Sequence, residues 1–542
     1  MFLLGKIVEK LLSNLGQCDH RRMTSADGKG AKGYGTRGPN PKPERGNRSQ
    51  PMLNRIISRS RRSLPQPSIT SLSKHAVLVM LIGCLPVADL QGAELPSPGG
   101  PFEFAVRLYA DQELEEARGR FEHLAHLGFS EAQRNLAVML VKGEGGDRNL
   151  PSAYAWLAVA AQQGDAQAKA LQPKALALIH DEDERASALK LAEQWQQSYT
   201  LDAVMHALEP EYSTAQEKPV TWESLDGIKV VDRVQPVYPP RLANRGIEGS
   251  AHLQFLLPDH GHPRDLRLIS SAHEDFTAAT AAVLPKWKFA LESPPPAHLY
   301  EQRINYTIGS SHKFEQATQD RIEALASKAE SGDVAAMYQL GWALEALPVE
   351  DSTLTKAQSL RWLHAAALGG LRDAAYDLNT RVRQGSGCVR DVETATRWKD
   401  LAAGLRQPDA LRSLANERLR AGNQYEAIYY IKGAAASSGR PTDTARLAWM
   451  LATIDLDAER QGQRALDLMD SIKSTYLDQA AWHEIRAAAL AETEQWKAAI
   501  QEQRRGIRLL QQSDIPTADA KSRLDEYQAQ RALRLPLDST PF

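Results

Sequence analysis

The feature that most limits what this chain can fold into is a residue register that keeps returning. Ala153, Trp156, Ala160, Ala161, Gly164 and Ala168 set a template. Trp362, Ala366, Ala367, Gly370, Ala374 and Leu378 restate it. Ala395, Trp398, Ala402, Ala403, Ala410 and Leu414 do so again, with Arg406 where the glycine stands in the other copies. Ala427, Tyr430, Ala434 and Ala435 give a degenerate copy, and Gly128/Ala132/Leu136 and Gly332/Ala336/Leu340 give partial ones. Matched positions lie 36 (Gly128 to Gly164), 38 (Gly332 to Gly370) and 36 (Trp362 to Trp398) residues apart. A period of this size belongs to paired antiparallel helices stacked into a solenoid. The residue types fit that geometry. An aromatic at i and an alanine at i+4 share one helix face. Glycine ends a helix by taking a left-handed backbone at low cost, and the alanines let the next helix approach closely.

These residues resemble Sel-one-like repeats, relatives of tetratricopeptide (TPR) repeats. The resemblance implies helix pairs over 101–205 and again over 316–440, with Gly143–Asp147 as the turn of one repeat. A lone G-x-G with no strand before it is weak evidence for a phosphate loop. Further on, Ala445–Leu451 with Ala465, and Trp482–Ala491 with Trp496, Ala498, Ala499 and Ile500, look like ordinary TPR halves, giving a third helical stretch over 441–535. The polar close from 511 resembles a capping helix with a proline-containing tail.

Between the helical stretches the period changes to two. Ala251, Leu253, Phe255 and Leu257 alternate with Ser250, His252 and Gln254, as in a half-buried strand. Residues 258–263 (PDHGHP) read as a turn in which His260 and His262 are solvated, and Leu266 and Leu268 continue as a second strand. Ser271 and Glu274 have capping-box spacing and open a helix carrying Phe276, Ala279, Val283 and Trp287 near one face. After the prolines 294–296, Ile304, Tyr306 and Ile308 alternate with Arg303, Asn305 and Thr307 in a last strand. Strand, strand, helix, strand over 228–310 predicts a small α+β domain with its sheet covered on one side.

Here a second resemblance enters. Gln235-Pro236-Val237-Tyr238-Pro239, then Leu242-Ala243, Gly246 and Gly249, then Asp275-Phe276 and Trp287-Lys288-Phe289, are collinear with the carboxy-terminal domain of TonB-type energy transducers, which this segment resembles. That family works in the periplasm and captures an extended peptide of an outer-membrane transporter by strand addition at a sheet edge. By resemblance, Gln235, Pro236 and Tyr238 lie in the partner-contact segment, and the face or edge bearing Arg303, Asn305 and Thr307 is the docking candidate. The chain departs from the family in three ways: repeats flank the domain on both sides, no long proline-rich spacer precedes it, and the apolar segment lacks the family's Ser/His pattern along one helix face, so use of a proton gradient does not follow from the resemblance.

The amino-terminal part reads as an address. The first 75 residues hold 15 Lys/Arg against 4 Asp/Glu, leaving 50 against 63 for the rest. Residues 1–51 are a basic extension too polar to fold, and a start at Met52 would make them an upstream segment. From Met52, basic residues precede a short apolar stretch beginning at Ala76, as in an export signal over 52–93. The basic head is therefore taken as a targeting flank rather than a nucleic-acid arm. Three processing routes stay open: lipidation of Cys84 at a Leu-Ile-Gly-Cys lipobox, cleavage near Gly92-Ala93, or an uncleaved membrane anchor over 75–92. Cys18, Cys84 and Cys388 support neither a disulfide framework nor a zinc site. With 42% hydrophobic and 24% charged residues the composition is globular.

No catalytic motif, cofactor motif or metal-ligand spacing is present in the sequence. The expectation is a multidomain, mainly α protein: an α-solenoid of Sel-one-like and TPR helix pairs flanking a small α+β TonB-like domain. Its expected role is a non-enzymatic, periplasmic protein-binding scaffold of the bacterial envelope. Its partners would be an outer-membrane transporter or another envelope protein, with a part in TonB-type transport energy transduction. The alternative is an assembly or regulatory scaffold in which the sheet is only a structural module.

Overall fold

The computed structural model describes residues 99–213, 229–245, 249–257, 261–271, 273–290, 299–306, 323–345, 352–535 and Pro541. The export signal, Cys84 and Thr307 lie outside them. Among the described residues seven helices come first: α1 (Pro101–Ala110), α2 (Leu114–His126), α3 (Ser130–Lys142), α4 (Leu150–Gln162), α5 (Ala166–Ala177), α6 (Glu182–Ser198) and α7 (Leu201–Ala207). After the sheet domain, residues 323–330 are helical. There follow α10 (Val334–Glu345), α11 (Ser352–Leu368), α12 (Arg372–Gln384), α13 (Val392–Gly404), α14 (Pro408–Arg420) and α15 (Gln424–Ser438). The last stretch holds α16 (Pro441–Thr453), α17 (Gly462–Ser471), α18 (Gln479–Glu492), α19 (Trp496–Gln512) and α20 (Ala518–Gln528). Most consecutive helices joined by short turns pack as neighbours, while α6 packs on α4 and not on the preceding α5.

The repeat register explains these pairs. Trp156, Trp362 and Trp398 are buried, as are Ala160, Ala366, Ala367, Ala402 and Ala403 after them, while Ala161 is half-buried. Gly164 has φ +94° and is followed by Asp165, whose carboxylate accepts from Ala168 N at 2.8 Å to start α5. The same glycine-then-cap device recurs at Gly332-Asp333 and Gly422-Asn423. A helix is thus stopped and the next one started within two residues, the cap alone contributing about 1 kcal/mol. Arg406 takes the left-handed backbone without being glycine, at φ +59°. Its guanidinium pairs with Glu103 of α1, which a glycine could not do. The Gly143–Asp147 stretch is a turn, with Gly143 and Gly145 at φ +73° and +69°. Asp181 caps α6, its carboxylate accepting from Glu184 N at 2.8 Å.

The first helical array folds back on the second. Helix α1 packs on α13 and α15, and α7 packs on α11. At one end Arg120 makes a bidentate pair with buried Glu426 (2.6 and 2.9 Å). At the other end Trp398 Nε1 donates to the Leu208 carbonyl at 3.0 Å. The chain leaving α7 runs beside the loop after α12, with Val389 N donating to Glu211 O at 2.8 Å and Tyr212 bridged to Cys388. Burial pushes the Cys388 thiol up to about 12, so this lone cysteine is an inert packing residue.

The inserted domain holds β1 (Lys229–Asp232), a short helix α8 (Pro240–Ala243), β2 (Gly249–Leu256), β3 (Arg264–Ser271), α9 (Glu274–Ala281), β4 (Lys288–Ala290) and β5 (Leu299–Tyr306). The strands form two sheets, β3-β2-β5 and β1-β4. Sequence alternation finds β2, β3, β5 and the helix, but not the short β1-β4 ribbon. The helix opens on His273, whose ring accepts from Asp275 N, rather than on the Ser271/Glu274 box. Ala251, Leu253, Phe255, Leu257, Phe276, Trp287, Ile304 and Tyr306 form its core.

Expectation and structure part over the sheet's second face. Gln254, placed in solvent by simple alternation, is buried, and so is Arg264. Strand β3 shifts register twice against β2. Between the pairs Gln254↔Arg267 and Leu256↔Arg264 it carries an extra residue. That bulge turns Arg264 onto the face of Gln254, away from α9. There Arg264 Nε meets Asp478, the cap of α18, at 3.0 Å, and Glu484 lies at 3.5 Å. The sheet is therefore covered on part of both faces. His262 is likewise half-buried rather than solvated, and burial lowers its pKa.

Candidate functional site

Residues 233–239 run extended into α8, as the prolines at 236 and 239 require. Three contacts hold this segment to the domain. Trp287 Nε1 donates to the Val234 carbonyl at 2.8 Å. The Arg233 guanidinium lies 4.6 Å from the Trp287 ring centroid. Tyr238 sits edge-on to Phe276 (5.8 Å) and Tyr306 (5.5 Å). Side chains alternate along the segment. Pro236 and Tyr238 are half-buried, while Gln235 and Val237 point out. Val237 is 77% exposed, the largest value among exposed large apolar residues described, and Val230, Val231 and Val234 join it in one short stretch. Sequence reading took Tyr238 as a contact. Its ring rests edge-on on Phe276 and Tyr306, and Val237, not singled out before, is the outward apolar group. Its position between two inward residues of an extended run was the available signal.

Strand β5 pairs with β2 along eight registered positions, from Gly249↔Tyr306 to Leu256↔Leu299. It is the last strand of its sheet among the described residues, so its other side is an edge. Tyr300, Ile304 and Tyr306 point into the core, and Arg303 and Asn305 are exposed. Tyr306 stacks on Phe276 at 4.5 Å, and its hydroxyl shares a 2.9 Å hydrogen bond with Thr280. Because Tyr238 also rests on Tyr306, the Gln235–Tyr238 segment and the end of β5 are neighbours. Gln235, Pro236, Tyr238, Arg303 and Asn305 thus belong to one region.

On the β3 side the situation is reversed. Arg264 is sealed among Asp478, Glu484 and Tyr476. Burial works against its charge, but Asp478 and then Glu484 more than offset this, so its pKa is raised. Arg523 of α20 binds the second oxygen of Glu484, and Gln503 donates to it at 3.3 Å. This network joins β3 to α18, α19 and α20. Among the described residues no helix is long and apolar enough to cross a membrane.

Two solved structures resemble parts of this chain. One is a Sel1 repeat protein from Oxalobacter formigenes, 16% identical over 36% of this chain and 82% of its own, with a TM-score of 0.28. The other is c5321, a protective antigen present in uropathogenic Escherichia coli strains displaying an SLR fold, 15% identical over 80% of this chain and 84% of its own, with a TM-score of 0.25. No curated protein matches the chain. The family model of the Gram-negative bacterial TonB protein C-terminal matches residues 234–308, the span from the extended valine-bearing segment through β5.

Proposed function

We propose that this protein is a protein-binding scaffold of the Gram-negative envelope whose inserted sheet captures an extended peptide by strand addition at β5. The observation that carries this reading is a match to the TonB carboxy-terminal domain whose last strand, among the described residues, pairs on one side only. Backbone hydrogen bonds along β5 would supply affinity, and side chains near Val237 and Arg303 would supply selection. In this reading the chain performs no chemistry of its own, acts in the periplasm and needs no cofactor. A transporter of the outer membrane is the partner the family suggests. A part in transport energy transduction would further require attachment to the membrane through residues 75–92 or Cys84.

The test is a titration of the folded chain with a synthetic peptide copied from a transporter's periplasmic amino-terminal segment, followed by amide chemical shifts. Shifts confined to β5 and residues 233–239 are expected. Shifts elsewhere, or none at millimolar peptide, would reject capture at this edge. One observation favours the alternative of an assembly scaffold with a structural sheet: the Arg264 network anchors the domain to the helices, where a freely tethered bait would carry no such contact.

A further inference from the structure

The outer strands of the inserted domain differ in how well another strand could lie along them. Strand β1 is four residues long and shifts register against β4. Strand β3 shifts register twice against β2, and its Arg264 is held by Asp478 and Glu484. Strand β5 is eight residues long (LYEQRINY) and pairs with β2 at every position without a shift. It contains no proline and no lysine. Bulges, prolines, lysines and short length are the usual means of keeping an edge from pairing with another chain. β5 has none of them, and among the described residues no strand lies on its outer side.

The residue order of β5 points to the chain that fits there. When two identical antiparallel strands are related by a two-fold axis, one residue lies opposite its own copy and its two neighbours lie opposite each other. With Gln302 on the axis, residue 301 of each copy stands opposite residue 303 of the other. That sets Glu301 against Arg303 twice, on the outward face that carries exposed Arg303 and Asn305. On the other face Tyr300 of each copy stands opposite Ile304 of the other, so the two core rows continue across the axis. Opposite charges and aromatic against β-branched side chains are both favourable cross-strand pairs. Moving the axis by one residue either way puts Arg303 or Glu301 against itself, so charge selects the register.

We propose that β5 pairs with β5 of a second copy of this chain, joining two sheets into one continuous antiparallel sheet about a two-fold axis at Gln302. The same edge is the one offered for peptide capture, so self-pairing holds it closed until a partner's peptide competes. That competition rests on the capture reading, whereas the pairing itself does not.

The experiment is sedimentation equilibrium of the full-length chain and of charge-swapped variants. The unmodified chain should dimerise reversibly. Arg303→Glu and Glu301→Arg each bring like charges together across the axis and should weaken the dimer about tenfold. Both substitutions in one chain should restore it. So should an equimolar mixture of the two single variants, as a heterodimer, which a mere loss of folding would not allow. A chain that stays monomeric at millimolar concentration overturns the proposal, as does a dimer indifferent to both single variants or a mixture that restores nothing. Adding the transporter peptide separates the two readings. Peptide binding at β5 by a chain that never dimerises keeps capture and discards self-pairing. A charge-selected dimer that no peptide opens keeps self-pairing and discards capture.

Discussion

At one side of the three-stranded sheet Arg264 is sealed against Asp478 and Glu484. At the other, Arg303 and Asn305 are exposed on β5, which among the described residues pairs on one side only. Both sides carry an arginine, and the two arginines do different physical work. A buried guanidinium loses its hydration and is tolerable only with carboxylates placed to replace it. It therefore fixes a single orientation of the sheet on the helices. An exposed guanidinium keeps its water, adds little stability and remains available to a partner. The comparison teaches that one small domain can be anchored along one strand while the strand at its other end, among the described residues, keeps exposed side chains and one open side.

The largest effect should come from breaking the sealed side. Arg264→Ala leaves Glu484 and Asp478 short of a partner in a buried place and should lower stability by about 3–5 kcal/mol. Urea denaturation should show the loss, and limited proteolysis should find the sheet domain cut before the helices. A chain that melts as before would mean the contact carries no load. Tyr238→Ala strikes the packing beside the end of β5. Removing a ring packed edge-on against Phe276 and Tyr306 should destabilise the inserted domain by about 1–3 kcal/mol. It should also weaken peptide capture while the repeats keep their helical signal. Capture at full strength by a folded variant would count against a role for this segment.

Acidification gives a smaller effect, on the turn joining β2 to β3. Burial holds the His262 pKa below its ordinary 6.5 in the folded chain. The unfolded chain therefore binds more protons as pH falls. The stability is fully present above pH 6.5 and is lost toward the lowered value. The slope should stay well under about 1.4 kcal/mol per pH unit, since the ring is only half-buried. Melts from pH 7.5 to 5 would measure it, and His262→Gln should flatten it. The smallest effect is expected at the free edge. Arg303→Glu should change stability by less than about 0.5 kcal/mol and act instead on the rate and salt dependence of peptide association. A melting shift as large as that of Arg264→Ala would erase the contrast between the two sides.

Much of this was legible beforehand because it is local. A tryptophan, the alanine four residues on and a following glycine report the same helix face and its end, wherever the helix packs. Alternation along β2 and β5 likewise reports which residues face the core. The β1-β4 ribbon escaped notice because strands of four and three residues hold too few alternations to be read. Arg264 escaped because strict alternation from Leu266 and Leu268 puts it on the wrong face. Only pairing with β2 reveals the bulge. Val237 escaped because the motif pointed to Gln235, Pro236 and Tyr238, and its exposure shows only once the segment is laid on Trp287, Phe276 and Tyr306.

The order of residues by itself settled the helix pairs, the place of the inserted sheet and which face of β5 points outward, since each depends on neighbours a few positions apart. Tertiary structure alone decided that the first array closes on the second and that Arg264 anchors the sheet through Asp478 and Glu484. Those contacts join residues a hundred or more positions apart in several cases. Their partners are specified by burial and charge once the backbone is in place, and no short-range pattern can encode them.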